Sequence, residues 1–228
     1  MLIPALASIL PAFLWMIYFY RSDKYAPEPK KLVARTFLVG ALVGAAMVFS
    51  LNELPFYVSM LSLAVFVAPV TEEIAKFLCV RWTVYNRSEF DEPVDGMVYA
   101  TAAALGFASI ENVIYVLNSW ASGGAEAGVY VLTGRSILSV PAHALFSSLW
   151  GLALGWHKKR KTLKSSILVV VGLLGGMVLH GLFNYLTSEN IFGGLLFLTL
   201  MAIAWRGVFL LTKRALKSNI PTEVISSE

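Results

Sequence analysis

Residues Val70 to Phe77 read VTEEIAKF, and the three charged side chains there stand in a stretch otherwise almost wholly apolar from Phe56 to Val80. A charge at the centre of a bilayer helix costs about 2.5–3.5 kcal/mol. A passive anchor has no use for three of them. Glu72 and Lys76 are four residues apart and share a helix face, and Glu73 is close enough to reach Lys76 as well. A self-neutralised ion pair is the plainest reading. One lysine, however, neutralises one glutamate. The other carboxylate needs a proton, a metal, a histidine or water. Two close carboxylates in unlike surroundings suit a site with one base and one structural acid.

Further polar residues lie inside apolar stretches: Glu111 and Asn112 in LGFASIENVIYVL, then Arg135, His143, and His180 with Asn184 in LHGLFNYL. Each also has a structural reading. Glu111 can pair with Arg135, with Asn112 beside them. His143 can be a hydrogen-bonded core residue. Gly181 and the GLLGG before His180 can serve close helix packing alone. Together the set offers more. Carboxylate-driven peptide hydrolysis needs a base for water, a donor for the oxyanion and a proton carrier for the amine. Glu, Asn and His fill those roles. The chain has no GxSxG nucleophile and no HExxH zinc helix. Its single cysteine, Cys79, excludes an intrachain disulfide and reads as a small buried residue, and His157 lies in a basic loop.

The elements that must position these residues are membrane helices. The chain is 57% hydrophobic and 14% charged, with a mean hydropathy of +0.71, where a soluble domain carries about 25% charge. Seven stretches reach about 20 apolar residues: roughly 2–20, 33–52, 56–80, 95–118, 130–156, 166–187 and 191–212. The expected fold is an all-α, polytopic membrane bundle of about seven transmembrane helices, or eight if 56–80 breaks at Pro69. In that reading PVTEE restarts a helix with Thr71 as cap. Pro141 predicts a similar kink. Lys and Arg cluster after the first, third, fifth and seventh stretches. The connections around Glu53, 119–129 and 188–190 have none. The positive-inside rule then puts the N-terminus outside and the C-terminus in the cytoplasm. The pI near 9.2 reflects those loops and predicts no nucleic-acid partner. The first stretch, lacking a basic start, reads as a retained span rather than a signal peptide. Residues 1–217 form one membrane domain, followed by a short polar tail, 218–228.

The stretches YFYRSDKYAPEPKKLVARTFLVG, TEEIAKF, FDEPVDGMVYATAAALGFASIENVIY, PAHALF and HGLFNY, in this order, resemble the PrsW family of bacterial intramembrane proteases over nearly the whole chain. That family is similar to a wider group containing the CAAX-prenyl endopeptidases, which look like glutamate-type proteases. The resemblance implies Glu72 as general base and Glu73 as its paired acid. It implies His143 and His180 as residues that position water or pass protons, and Asn184 as an oxyanion donor. Two positions depart from the wider group. Phe107 is followed four residues on by Glu111 instead of a histidine, and the first motif carries Lys76 at four rather than an arginine at five. The implied activity is site-1 cleavage, on the extracytoplasmic side, of a single-span membrane protein such as an anti-sigma factor, in a bacterial cell membrane and without a cofactor. Two other readings remain: a zinc protease with Glu72, His143 and His180 as ligands, and a scaffold or proton-coupled transporter using the same acids as a relay. No inverted-repeat signal supports the transporter.

Overall fold

Two prolines shape the segments that carry most of the buried polar residues. The computed structural model describes residues 1–23, 26–52, 59–189 and 191–217, and its regular structure is entirely helical. Lys24, the connection around Glu53 with the start of the third apolar stretch, Asn190 and the tail 218–228 lie outside the described residues. The helices are α1 (Leu2–Tyr20), α2 (Lys30–Asn52), α3 (Met60–Ser62), α4 (Ala68–Thr83), α5 (Pro93–Gly134), α6 (Val140–Arg160), α7 (Leu163–Glu189) and α8 (Ile191–Lys217). Two π-helical segments complete the set, Leu63–Val67 before α4 and Arg135–Ser139 before α6.

Each π segment ends just before a proline at the second position of the next helix, Pro69 or Pro141. A proline has no N–H to donate and its ring crowds the carbonyl four residues back. The wider turn relieves both conflicts. The path from Met60 to Thr83 is therefore continuous, not broken at Pro69. Thr71 does not cap a new helix. Its hydroxyl donates back to the Val67 and Ala68 carbonyls. The N-cap of this path is Ser59, whose side chain accepts from the Ser62 amide.

Among the described residues, five helical runs are long and apolar enough to cross a membrane: Leu2–Tyr20, Lys30–Val48, Pro93–Arg160, Leu163–Ser188 and Phe192–Leu216. The third is 68 residues long, about 100 Å if it were straight. It is not straight. Gly124 has φ 73° and ψ −168°, a conformation open to glycine. Around it Trp120 covers Gly128, Glu111 and Asn112 meet Arg135, and Gly96 meets Gly151. These contacts close on Gly124 from both sides, so the run is an antiparallel hairpin. Residues 119–129, expected as a loop, are helical up to that one turn.

The first limb of the hairpin is the centre of the molecule: every residue from Pro93 to Ser109 is buried. Lipid tails give helices no hydrophobic reason to associate, so small residues that permit close contact decide the packing. A Cβ on Gly106 would stand 1.9 Å from the Phe37 carbonyl of α2, and one on Gly96 2.1 Å from the Gly151 carbonyl of α6. Both neighbours are backbone and cannot turn aside. Gly106→Ala should force α2 and α5 apart and lower stability by about 1–3 kcal/mol. Gly207→Ala, with nothing within 4 Å, should be neutral or stabilising by up to about 1 kcal/mol. Thermal unfolding of the two variants in detergent checks this; equal midpoints would contradict it.

Candidate active site

Lys76 is the hub of the buried polar cluster. It is 0% exposed, and its Nζ lies 2.8 Å from Glu73 Oε1, 3.5 Å from Glu72 Oε2 and 2.9 Å from His143 Nδ1. The ammonium also sits over the Phe107 ring, 4.5 Å from its centroid. An ammonium only donates, so His143 Nδ1 accepts and the ring carries its proton on Nε2. That nitrogen is 3.0 Å from Glu111 Oε2. The tautomer follows from the hydrogen-bond network.

The three glutamates have unlike surroundings. Glu73 is saturated: Oε1 takes Lys76, while Oε2 accepts from Ser147 Oγ at 2.9 Å and Trp150 Nε1 at 3.0 Å. Glu111 is held by His143 and by Arg135 Nη2 at 2.9 Å. Arg135 also donates from Nε to Asn112 Oδ1 at 2.9 Å and stacks on Tyr115. Asn112 in turn donates to the Ser8 carbonyl of α1. Glu72 has no contact as short: Lys76 at 3.5 Å and His180 Nε2 at 3.9 Å. Three carboxylates thus face two fixed cations, Lys76 and Arg135, and the least compensated is Glu72.

His180 stands between Glu72 and Glu73, its Nδ1 3.4 Å from Glu73 Oε1. Its ring stacks on Phe146 at 5.0 Å and meets His143 edge-on at 4.9 Å. Counting residues along straight helices puts Glu72 in the inner half of the bilayer and His180 in the outer half. The structure brings them level. Gly181 permits this: a Cβ there would stand 2.5 Å from the Val65 carbonyl, which is the group Pro69 cannot bond. The neighbouring Ala64 carbonyl accepts from Asn184 Nδ2 at 2.8 Å. Asn184 is thus placed on the π segment's backbone, only partly buried, with one of its two amide protons used.

A cavity of about 320 Å³ reaches this cluster. Glu72 and Glu111 form its polar floor, and Val48, Met60, Tyr115 and Asn118 are among its walls. Ser147 and Trp150, which hold Glu73, were not singled out from the sequence. Their spacing from His143, four and then three residues along α6, puts all three on one helix face and is the signal for them. Cys79 is buried with Sγ 3.7 Å from the Thr36 carbonyl. His157 is away from the cluster, its Nδ1 3.0 Å from Ser165 Oγ.

Glu72, His143 and His180 each offer a ligand atom, all within 4.8 Å of one another. Two imidazoles, a carboxylate and an adjoining cavity match a catalytic zinc site in donor type and number. His180 suits that use, because Glu73 lies behind it as carboxylates lie behind metal-bound imidazoles. At His143 the Lys76 ammonium stands on Nδ1 and Glu111 on Nε2, so the lysine must move aside before Nδ1 can bind a metal, or donate while Nε2 binds one.

The chain is 32% identical over 203 residues to the "Protease PrsW" of Geobacillus kaustophilus, covering 87% of this chain and 86% of that protein. It is 31% identical to the "Protease PrsW" of Oceanobacillus iheyensis, covering 94% of this chain and 96% of that protein. For the "Protease PrsW" of Bacillus subtilis the identity is 29%, covering 80% and 81%. No solved structure matches. A family model described as "PrsW family intramembrane metalloprotease" matches residues 28–211, so the chain belongs to the PrsW family of membrane proteases.

Proposed function

We propose that this protein is an endopeptidase that cleaves a single-span membrane protein with water activated at Glu72. The observation that carries the reading is the asymmetry of the three glutamates. Glu73 and Glu111 are held by close partners, while Glu72 has none shorter than 3.5 Å and lines the cavity. Glu72 takes a proton from water as its oxygen attacks the scissile carbonyl. His180, between Glu72 and Glu73, passes a proton to the departing amine. Asn184 offers its second amide proton to the oxyanion. Lys76 and Glu73 hold the other groups in place.

The chain crosses the bilayer seven times in this reading, with the path Met60–Thr83 and both limbs of the Gly124 hairpin counted as crossings. The loop charges put the N-terminus outside. The cavity wall residues Val48, Tyr115 and Asn118 belong to helix ends that then lie outside, which favours cleavage on the extracytoplasmic side of a bacterial cell membrane. The substrate class is a single-span protein, with anti-sigma factors the first candidates.

A second reading is favoured by the Glu72, His143 and His180 donor set and by the family's description. Those residues would hold a zinc ion once Lys76 or Glu111 gave way at His143. The ion would supply Lewis-acid activation of water and carbonyl.

A cleavage assay on candidate single-span substrates tests both. Under the first reading, activity survives a zinc-selective chelator and the active protein contains no zinc by elemental analysis. Loss on chelation, with recovery on added zinc, would replace it with the second. Failure to cut any substrate whose extracytoplasmic juxtamembrane segment is intact would count against both.

A further inference from the structure

A second buried cluster, separate from the cavity, lies where the α1–α2 connection meets the start of α5. It contains Asp23, Glu28 and Asp95, which are 3%, 3% and 1% exposed. Each offers a carboxylate oxygen, and these oxygens lie within 4.8 Å of one another. We propose that Asp23, Glu28 and Asp95 form a binding site for a hard divalent cation, Mg²⁺ or Ca²⁺, that fastens the α1–α2 connection to the first turn of α5.

The hydrogen bonds around the cluster leave oxygens turned toward its centre. Asp95 Oδ2 accepts from the Asp91 and Glu92 amides at 2.9 and 2.6 Å, completing a capping box. Its Oδ1 is buried with no hydrogen-bond partner. Glu28 Oε2 accepts from the Tyr99 hydroxyl. Asp23 is the decisive member: among the described residues neither of its buried carboxylate oxygens has a partner within hydrogen-bond geometry. A buried, unpaired carboxylate costs several kcal/mol, and two more carboxylates beside it raise that cost.

A cation satisfies all three carboxylates at once. An all-oxygen set suits Mg²⁺ or Ca²⁺ rather than a softer metal. The three residues come from three places: Asp23 three residues after α1, Glu28 two before α2, and Asp95 in the first turn of α5. The ion would therefore position the helix that carries Glu111 into the cavity.

The test uses the full-length protein in detergent, stripped with EDTA, with Mn²⁺ as the spectroscopic probe. Electron paramagnetic resonance should count one Mn²⁺ per chain, displaced by Mg²⁺ or Ca²⁺. Asp23→Asn should weaken Mn²⁺ binding by about tenfold or more, since changes even behind metal ligands cost about 10–100-fold. Asp95→Asn keeps an oxygen for the capping amides and should weaken binding similarly. Glu72→Gln should bind Mn²⁺ as the wild type does, which separates this site from the cavity. Adding Mg²⁺ should raise the unfolding temperature of the stripped wild type and leave Asp23→Asn unmoved. Absence of stoichiometric Mn²⁺ binding by the wild type, or wild-type binding by both carboxylate variants, overturns the proposal whatever the fate of the protease reading.

Discussion

Glu72→Gln is expected to abolish cleavage while leaving the fold at least as stable as the wild type. Removing a general base costs about 10²–10⁴-fold in rate. Glutamine keeps the shape of the side chain, so packing is preserved. The charge argument goes further: three carboxylates face Lys76 and Arg135, so neutralising the least compensated one relieves an imbalance. The unfolding temperature should hold or rise as activity disappears. Glu73→Gln should behave differently. Glu73 bonds Lys76, Ser147 and Trp150, and its loss should cost stability along with activity. Cleavage rates and thermal midpoints of the two variants, measured together, check the distinction. Substantial cleavage by Glu72→Gln would remove Glu72 from the mechanism.

Lys76→Met is expected to give the largest loss of stability of any single change at the site. Methionine nearly matches lysine in volume, so the effect isolates the charge. Removing one partner of a buried ion pair costs about 3–5 kcal/mol because it strands the other. Here the stranded groups are Glu73, Glu72 and the acceptor nitrogen of His143. Arg135→Met also strands a carboxylate, Glu111. That pair, though, is 16% and 13% exposed at its side chains, and water from the cavity can enter, so its cost should be smaller. Equilibrium unfolding in mixed detergent ranks the two. A Lys76→Met protein as stable as wild type would show that the cluster is neutralised without the lysine.

Much of this arrangement was legible in the sequence. The apolar stretches, their spacing and the buried polar residues follow from rules about what lipid tolerates, and those rules act residue by residue. The partners did not follow in the same way. Nothing in the spacing of Asn184 says that its amide meets Ala64, because that contact depends on how closely α7 approaches the π segment at Gly181. Nor did counting residues bring Glu72 and His180 to one depth. Helix tilt and packing set that, and they are fixed by contacts between elements far apart in the chain. Pro69 and Pro141 announced a local disturbance. Both a broken helix and a widened turn satisfy a proline, and the sequence does not choose between them. The connection expected at 119–129 does hold the turn, at Gly124, but its tightness was hidden for a related reason: the residues flanking the glycine are as compatible with helix as with loop.

That turn bears on how the protein enters its membrane. With both limbs of the hairpin taken as crossings, each alone carries an unpaired charge, Glu111 on the first and Arg135 on the second. Either one costs about 2.5–3.5 kcal/mol at the middle of a bilayer helix during insertion. The two groups meet at 2.9 Å only when the limbs lie side by side. With a single glycine turn between them, the first limb has its partner as soon as the second emerges from the ribosome. The pair should leave the translocation channel together as one unit, so that Glu111 and Arg135 are in place before α7 brings in His180.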